Sequence, residues 1–463
     1  MADSQDLSAE DRDDLDGLYG ATDAVVREVR DALAASNADA IHHLIEPLHA
    51  ADLADLFEKL SSEERHALVP YVGGDVDPDF FSYLDEKVRE DIFDDFDMEQ
   101  LALVVQELDS DDAVDLIEDL DAEEQAELLQ AIPAKDRALF EDALSYPEDS
   151  AGRLMNREVA TVPSNWLVGQ TIDYMRSDAE LPTTFYDIYV MGPGHRPIGS
   201  MPVSRILRTK RPVPIADFMD TDLKLIPVAM DQENVAFIFR QYGLASAPVV
   251  DELGRLVGVI TVDDIVSVVE EEHVEDMLNL GGVREDDFYE AVVDTTRSRF
   301  SWLLVNLATA ILASLVISLF DAAIDKVVAL AVLMPIVASM GGNAGTQTLT
   351  VAVRALALKE LTPANALRIV GKEVLVGGIN GIVFAILMGA VGWYWFDSLT
   401  IGLILAAAMI INLIMAGFAG TVVPLTLDRM GIDPAIASAV VLTTVTDVIG
   451  FLAFLGLASL VLL

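Results

Sequence analysis

Five long apolar segments after residue 300 constrain the fold of this chain more than any other feature. They cover about 302–320, 328–352, 374–396, 399–427 and 435–462. A helix needs about 20 apolar residues to cross a bilayer, and each segment is close to or above that length. We therefore predict an α-helical membrane domain with five spans.

The last apolar segment contains a single charge, Asp447. It lies 13 residues after Pro434, which at about 1.5 Å per residue places it roughly 20 Å into the membrane. A carboxylate at that depth is costly unless it faces water, a partner or an ion. Thr443 and Thr446 surround it with hydroxyls, which favours a hydrated cation path. The alternative is a carboxylate that hydrogen-bonds between helices as a packing device.

Polar and small residues also interrupt the second apolar segment. Pro335 removes a helix hydrogen-bond donor, and several glycines, Gly342 among them, loosen the backbone. This pattern predicts irregular backbone that lines a cavity at membrane depth. Asn343 and Gln347 share a helix face and would present amide oxygens to a pore. The alternative is hydrogen bonding and close packing between helices. Asn412 and nearby glycines repeat the pattern in the fourth segment.

The charge of the chain is strongly negative and unevenly distributed. Asp and Glu number 76 against 29 Lys and Arg, a net charge of −47, and only eight acids and six bases follow Phe300. Such a field repels nucleic acid and collects cations. Binding of divalent cations and a general acidic bias, as in salt-adapted organisms, both remain open as explanations. Cysteine is absent, which excludes disulfides and thiolate metal sites.

The N-terminal half divides by residue pattern into a lead-in and a helical region. Residues 1–24 are acidic and polar and lack the basic and apolar regions of a cleaved signal peptide, so we expect a flexible lead-in that stays in the cytoplasm. Residues 25–150 repeat short amphipathic units separated by acid-rich turns, which predicts an all-α helical-repeat domain. Acids at such turns also suit helix N-termini without any ligand.

Residues 151–272 contain β-branched runs and an internal repeat. Met155 and Met219 correspond at a spacing of 64, as do Pro163 and Pro227. Each copy is typical of strand, helix, strand, strand, helix. The region resembles a tandem pair of CBS domains, a ligand-sensing α/β module, over 151–213 and 214–272. Residues 273–300 are amphipathic and predict a long connecting helix, and residues 301–463 form the predicted membrane domain.

Basic residues orient the predicted spans. Arg354, Lys359, Arg368 and Lys372 lie between the second and third segments, whereas the next loop holds only Asp397. Positive loops face the cytoplasm. We therefore expect a multi-pass protein of the inner (plasma) membrane with cytoplasmic N-terminal domains and an external C-terminus. The six His are scattered, and no paired catalytic arrangement is present, so we do not expect an enzyme.

Three motifs make the chain similar to the MgtE family of magnesium channels along essentially its whole length. Pro335 with Gly342-Asn343-Ala-Gly-Thr-Gln347 resembles the family's membrane signature. The stretch from Tyr146 to Met155 resembles its entry to the CBS pair, and Thr446-Asp447-Val-Ile-Gly450 resembles its ion-selective segment. The resemblance implies a homodimer in the bilayer whose pore lies on the two-fold axis, where two copies of Asp447 face each other.

Mg²⁺ suits a filter of this kind. It dehydrates reluctantly, keeps several waters and meets one or two carboxylates, and rings of acids are a recurring cation filter. The membrane potential supplies about 2.3 kcal/mol per charge per 100 mV, which drives uptake without ATP hydrolysis. Two alternatives remain open: a transporter of Co²⁺ or Mn²⁺, and a membrane-anchored CBS receptor without transport.

Acids outside the membrane predict a gate. Glu272, Glu275 and Asp276 share one face of the connecting helix, where like charges repel. By resemblance these three are regulatory Mg²⁺ ligands, and high cytosolic Mg²⁺ closes the pore. Their expected partners in the CBS pair are Asp231, Glu233 and Asp264. Two further acids, Glu373 and Asp433, are expected to add a site at the cytoplasmic mouth.

Some positions depart from the family pattern. Arg240, Gly243 and Ser267 stand where the family can place Ala, Asp and Asp. This leaves open which regulatory sites are present, and for any single acid a solvated surface is the alternative. The resemblance also allows ATP as a second ligand, bound at the CBS pair.

Overall fold

The computed structural model describes residues 20–72, 76–93, 95–177, 181–283 and 292–462. Most of the predicted lead-in and residues 284–291 of the predicted connecting helix lie outside these ranges. The chain divides into two compact units, Met1–Glu270 and Glu271–Leu463, each described by itself below.

The first part of unit 1 is a succession of short helices, as the repeating amphipathic units predict. Acidic or small polar residues begin many of them; Asp97 and Asp121, for example, each form a capping box with the residue three positions on. The helices are α1 (Asp23–Ala34), α2 (Ala38–Ile45), α3 (Ala50–Glu58), α4 (Ser62–Val72), α5 (Asp79–Ser82), α6 (Glu86–Phe93), α7 (Met98–Glu107), α8 (Ser110–Glu118), α9 (Ala122–Ala131) and α10 (Ala134–Ala143).

Aromatic packing and buried cations such as Arg89 hold these helices together. Phe57, Phe80 and Phe81 are fully buried, and their rings meet edge to face at centroid distances of 5.1 Å. Arg89, which is only 3% exposed, pairs with Asp119 and lies 2.7 Å from Asp115. Two carboxylates thus compensate the buried guanidinium, as a buried charge requires.

The rest of unit 1 contains two three-stranded sheets with identical pairing. In each, the first strand is parallel to the second and the second is antiparallel to the third. This confirms the internal repeat of strand, helix, strand, strand, helix. The elements are α11 (Ala151–Leu154), β1 (Thr161–Pro163), α12 (Val168–Met175), β2 (Asp187–Met191), β3 (Pro197–Pro202), α13 (Val203–Leu207), a 3₁₀ turn (Ile215–Asp217), β4 (Ile226–Pro227), α14 (Gln232–Tyr242), β5 (Ser246–Val250), β6 (Leu256–Thr261) and α15 (Val262–Gly281).

The two sheets exchange their leading segments. Ala151 and Met155 pack in the core around β4–β6, whereas Ile215 and Met219 pack in the core around β1–β3. Consequently, the packing boundary differs from the boundary of the sequence repeat at residues 213–214. The exchange joins the two copies into one structure, since neither core is complete without residues from the other copy.

Two helices account for the described parts of the predicted connecting helix over 273–300. α15 begins at Val262, directly after β6, and continues to Gly281. Gly282 has a φ of +68°, a conformation that favours glycine and ends the helix. The next helix begins at Val292 and continues into the first membrane span.

Unit 2 contains five helices that are long and apolar enough to cross a membrane. This result covers the described residues and confirms the five spans predicted from hydropathy. The boundaries differ from the prediction by at most ten residues. The helices of this unit, including one short connecting helix, are α16 (Val292–Ser318), α17 (Asp321–Lys326), α18 (Ala329–Ala357), α19 (Ala366–Phe396), α20 (Leu399–Arg429) and α21 (Pro434–Leu462).

α20 is the central helix of the membrane unit. Half of its most apolar stretch is buried, compared with 11% for α19, and it packs against α18, α19 and α21. Glycines permit close approach to α19: a Cβ at Gly381 would lie 3.0 Å from the Cα of Ile410. Small residues are the usual means of bringing membrane helices together.

The predicted irregular backbone in the second span is wrong. α18 runs as one α-helix of 29 residues from Ala329 to Ala357, through Pro335 and its glycines. The glycines instead bring neighbouring helices close. A Cβ at Gly345 would lie 3.0 Å from Leu442 of α21, and a Cβ at Gly341 would collide with Asn412 of α20.

Candidate ion path and regulatory acids

One face of α18 is both polar and exposed in the single chain. Ser339, Asn343 and Gln347 follow each other at intervals of four residues and are all exposed. The Asn343 amide donates to the Ser339 hydroxyl at 3.4 Å. A polar helix face directed at hydrocarbon is costly, so this face must meet water or another protein surface.

Asp447 lies on α21 and is partly buried. Thr443, one turn earlier, is exposed, and its hydroxyl donates to the carbonyl of Ala439 at 2.9 Å. The prediction that Asp447 and Thr443 lie together on α21 is consistent with this placement.

Two contacts set the register between α18 and α21. Gly341 and Gly450 both lie against the side chain of Asn412, and Gly345 lies against Leu442. The helices are therefore antiparallel, and Asn343 and Asp447 both fall between the same two contacts. The polar residues predicted from two distant segments are thus at one level of the membrane unit.

Two other residues predicted for the path have different surroundings. Thr446 is fully buried, and its hydroxyl donates to the carbonyls of Leu442 and Thr443 at 3.1 and 3.0 Å. It therefore does not share the exposed face of Thr443. Gly342 precedes Asn343, and a Cβ there would meet nothing within 4 Å, so the position beside Gly342 is open.

At one end of the same unit, a single amide joins two predicted acids. The Asn279 amide nitrogen lies 3.2 Å from a carboxylate oxygen of Glu275 and 3.3 Å from one of Asp433. The other oxygen of Asp433 accepts from the backbone N–H of Ala435 at 2.7 Å and caps the start of α21. Leu280 packs in the cluster that includes Leu442. The end of α15 is thereby attached to the helix that carries Asp447.

Glu373 occupies a confined position on α19. Its side chain is 13% exposed and lies 3.2 Å from the Lys372 ammonium. One of its oxygens accepts from the hydroxyl of Thr348 on α18 at 3.4 Å. The structure therefore places this carboxylate between α18 and α19 with one cation beside it.

In unit 1, acids from the helical region and from the CBS pair converge. Asp111 and Asp112 lie in the first turn of α8, and Asp264 lies in the first turn of α15. Asp264 accepts from the N–H and hydroxyl of Thr261 at 3.0 and 2.7 Å. One oxygen of Asp111 is buried without a hydrogen-bond partner among the described residues.

The protonation of this acid cluster is strongly perturbed. Burial and repulsion from neighbouring carboxylates, Asp264 first among them, raise the pKa of Asp112 to about 7. The same causes raise the pKa of Asp111 well above its ordinary value. Burial also raises the pKa of Asp264, against the hydrogen bonds from Thr261. A cation bound here would relieve the repulsion and favour the ionised carboxylates.

The other predicted regulatory residues are more dispersed. Asp231 caps α14, accepting from the N–H of Asn234 at 3.3 Å, and Glu233 follows in the first turn. Glu272 and Asp276 lie on α15, where both are partly exposed. Within the described ranges, no three Asp, Glu or His side chains converge closely enough to hold one metal ion. The ligand sets predicted from the sequence therefore stay predictions.

A cleft of about 480 Å³ opens between the two sheets of the CBS pair. Its lining includes the cations Arg205 and Lys224 and the acids Asp187 and Asp222. The Lys224 ammonium lies 2.9 Å from Asp222 and 4.5 Å from the Tyr242 ring centroid. Burial raises the pKa of Asp187, although the Ser246 hydroxyl donates to it at 2.8 Å. The cleft thus offers both charge signs to a polar ligand.

Sequence reasoning missed Asp111, Asp112 and Asn279. The two aspartates follow Ser110 at a helix start, and the pattern there favoured simple N-terminal acids. Asn279 is an isolated amide at the end of an acidic helix. Only the tertiary fold brings these residues to Asp264 and Asp433, and no local sequence signal marks that meeting.

Comparisons with known proteins identify the domains of the chain. Three family models match: a divalent cation transporter domain (MgtE) over residues 334–457, the MgtE intracellular N domain over 48–149 and a CBS domain over 215–271. The magnesium transporter MgtE of Thermus thermophilus is 33% identical over 330 residues, covering 70% of this chain and 73% of the relative. That of Bacillus subtilis is 31% identical over 318 residues, with coverage of 68% and 70%.

Among solved structures, the cytosolic domain of the Mg²⁺ channel MgtE in complex with ATP matches with 27% identity and a TM-score of 0.49. It covers 52% of this chain, and 99% of that domain is matched. The membrane helices, the paired CBS sheets and the matching models define the chain as a membrane protein of the divalent cation transporter class. More narrowly, it belongs to the MgtE family.

Proposed function

We propose that this protein transports Mg²⁺ across the membrane, down the electrochemical gradient, along the polar face of α18 and past Asp447. The observation that carries the proposal is the common level of Asn343 and Asp447 in the membrane unit. The curated relatives, which are named magnesium transporters, support the choice of ion.

A second copy of the chain would complete the path. The exposed row of Ser339, Asn343 and Gln347 needs a polar surrounding. A two-fold axis beside this row would cover it and would bring two copies of Asp447 towards one ion, as isologous symmetry requires. We therefore propose a homodimer with the pore at its axis.

Selectivity would come from water-mediated contacts. Mg²⁺ retains most of its hydration shell and tolerates only one or two direct carboxylates. Paired Asp447 carboxylates would supply charge, while the Asn343 amide and the Thr443 hydroxyl would order the ion's waters. The open position beside Gly342 keeps side chains of this chain away from the proposed path there. All-oxygen surroundings favour Mg²⁺ or Mn²⁺ over softer metals.

Cytosolic Mg²⁺ would close the pore through the acids outside the membrane. Asp111, Asp112 and Asp264 repel one another in unit 1, and burial together with that repulsion raises the pKa of Asp112. Mg²⁺ would stabilise the packing of the helical region on the CBS pair by neutralising them. In unit 2, Mg²⁺ between Glu275 and Asp433 would strengthen the attachment that Asn279 already makes. Low Mg²⁺ would release both contacts.

ATP is the second ligand that we propose, in the cleft of the CBS pair. Lys224 and Arg205 supply positive charge for phosphates, and the cleft volume of about 480 Å³ suits a nucleotide. Tritiated ATP binding to the purified protein, compared between wild type and Lys224→Ala, tests this step. Equal ATP binding by both proteins would argue against the cleft as the ATP site.

Mg²⁺ flux into proteoliposomes tests the transport proposal. We expect uptake that depends on an inside-negative potential and exceeds uptake by empty liposomes. Growth rescue of a strain deficient in Mg²⁺ uptake is the cellular counterpart. Flux of Co²⁺ or Mn²⁺ with no Mg²⁺ flux would favour the other-ion alternative. No flux of any divalent cation, with ligand binding to the CBS pair retained, would favour the receptor.

A further inference from the structure

Asn412, at the middle of α20, is a fully buried amide of the membrane unit. Its nitrogen donates to the backbone carbonyl of Val337 on α18 at 2.8 Å. Its oxygen is buried and has no hydrogen-bond partner among the residues that the structure describes. An unpaired amide oxygen in a membrane interior is unfavourable, and an apolar side chain of similar size would avoid that penalty.

Glycines from two neighbouring helices enclose this side chain. A Cβ at Gly450 of α21 would lie 2.8 Å from the Asn412 nitrogen, and a Cβ at Gly341 of α18 would lie closer still. Asn412 is therefore the point at which α18, α20 and α21 meet. Its hydrogen bond fixes the height of α18, and its contact with Gly450 fixes the height of α21.

Asn343 on α18 and Asp447 on α21, the two residues of the proposed path, lie close to the contacts with Asn412 along their helices. Asn343 follows Gly341 by two residues, and Asp447 precedes Gly450 by three. A displacement of either helix at Asn412 would therefore shift one path residue relative to the other. Hydrated ions are discriminated by the spacing of such groups, so register translates into selectivity.

We infer that Asn412 is a positioning residue that sets the relative height of Asn343 and Asp447 and thereby the preference for Mg²⁺ over larger divalent cations. This inference rests on the proposed function, because it assumes that the ion passes these two residues. Asn412 itself is buried behind them and does not contact the ion.

The test compares Mg²⁺ and Ca²⁺ flux in proteoliposomes at matched amounts of folded protein. We expect Asn412→Ala to lower the Mg²⁺/Ca²⁺ flux ratio at least roughly 5-fold, because the two helices lose their common register. Met409→Ala is the matched control. Met409 lies on the same helix, is equally buried and carries no polar anchor. It should lower the melting temperature without changing the flux ratio.

A second variant separates register from packing if Asn412→Ala folds poorly. Asn412→Ala combined with Gly341→Ala places a methyl group in part of the vacated space. We expect it to recover folded protein but not the ion preference. A wild-type flux ratio in either folded variant, or an equal fall in Met409→Ala, would overturn the inference.

The two levels of the proposal can fail separately. If Asp447→Ala transports Mg²⁺ as wild type does, the proposed path is wrong. If Asp447→Ala abolishes transport while Asn412→Ala keeps the wild-type ratio, the path stands and the positioning role is wrong.

Discussion

α18 and α19 are adjacent in sequence and both long enough to cross the membrane, yet the exposed residues at their middles differ. α18 exposes the polar row of Ser339, Asn343 and Gln347, whereas α19 exposes mainly apolar residues, Ile379, Ile382 and Ile386 among them, beside the amide of Asn380. α20 is packed behind both. The apolar face is compatible with lipid and the polar face is not. The membrane unit is therefore two-sided, and the proposed ion path lies on the α18 side.

Removal of the membrane carboxylate, Asp447, should cause the largest loss of Mg²⁺ flux. Asp447→Ala should reduce Mg²⁺ flux by roughly 100-fold or more, since loss of a desolvated charge partner costs about 2–5 kcal/mol. Asp447→Glu retains the charge and should keep measurable flux with altered ion preference. Proteoliposome uptake measures both, and wild-type flux in Asp447→Ala would remove Asp447 from the path.

A matched pair of substitutions compares the two faces directly. Asn343→Leu should reduce Mg²⁺ flux about 10-fold, because an interaction with a charged group contributes about 1.5–3 kcal/mol. Ile379→Ala on the lipid side should leave flux within about 2-fold. Flux assays at equal protein abundance check the pair. Equal losses in both variants would mean that the polar face has no special role.

Neutralising Glu275 and Asp433, the acids that Asn279 joins between α15 and α21, should change the closing of the pore by Mg²⁺ rather than the ion path. Glu275→Gln with Asp433→Asn should raise the cytosolic Mg²⁺ concentration that half-closes the pore by about 10-fold, roughly 1.4 kcal/mol of lost coupling. Patch-clamp recording over a Mg²⁺ titration measures this shift. Glu270→Gln combined with Glu141→Gln, which removes two charges from exposed acids, is the charge-matched control. An unchanged midpoint in the double variant would contradict the proposed gate.

Substitution in the acid cluster of unit 1 should have the smallest effect of these variants, and it should change thermal stability rather than flux. The raised pKa of Asp112, about 7, means that the folded protein holds this proton more tightly than the unfolded chain. Proton-linked stabilisation is therefore complete below the ordinary carboxylate pKa and is lost as pH rises through about 7.

Asp112→Asn should accordingly raise the melting temperature at pH 8 by about 2–4 °C without Mg²⁺, and the rise should shrink as pH falls towards the ordinary carboxylate pKa of 3.8. Saturating Mg²⁺ should reduce the difference at pH 8 by stabilising the wild type. Thermal unfolding of the full chain, followed at the transition of unit 1, measures these differences. Glu141→Gln, an exposed acid, controls for net charge. If Asp112→Asn melted at the wild-type temperature at pH 8, the repulsion among the acids of the cluster would not destabilise the folded protein as proposed.

Hydropathy and periodicity predicted much of this fold, for clear physical reasons. Membrane spans and alternating strands each depend on local residue patterns, so the five spans and the repeated sheets were recoverable from the sequence. Asp447 could be proposed as a path residue from the sequence because it is the only charge in its span. Pro335 misled the local argument, because the structure keeps α18 helical through it.

The remaining features depend on contacts between distant segments. Asp112 is one of many acids in this chain, and its meeting with Asp264 follows from the packing of α8 near the start of α15. Asn279 and Asn412 are single amides whose importance lies in the helices that they join. The exchange of Ala151 and Ile215 between the CBS cores likewise has no local signal. Sequence pattern predicts elements, and the fold decides which polar groups share a site.

Single cysteines offer the most direct test that ions follow α18, because the chain has none of its own. Cysteine would be placed at Ser339, Asn343 or Gln347, and in parallel at Ile379, Ile382 or Ile386. A charged, water-soluble thiol reagent should label the α18 positions and block Mg²⁺ flux, with Mg²⁺ slowing the reaction at Asn343. The α19 positions should stay unlabelled in the bilayer. Labelling of α19 with unaffected α18 positions would contradict the account.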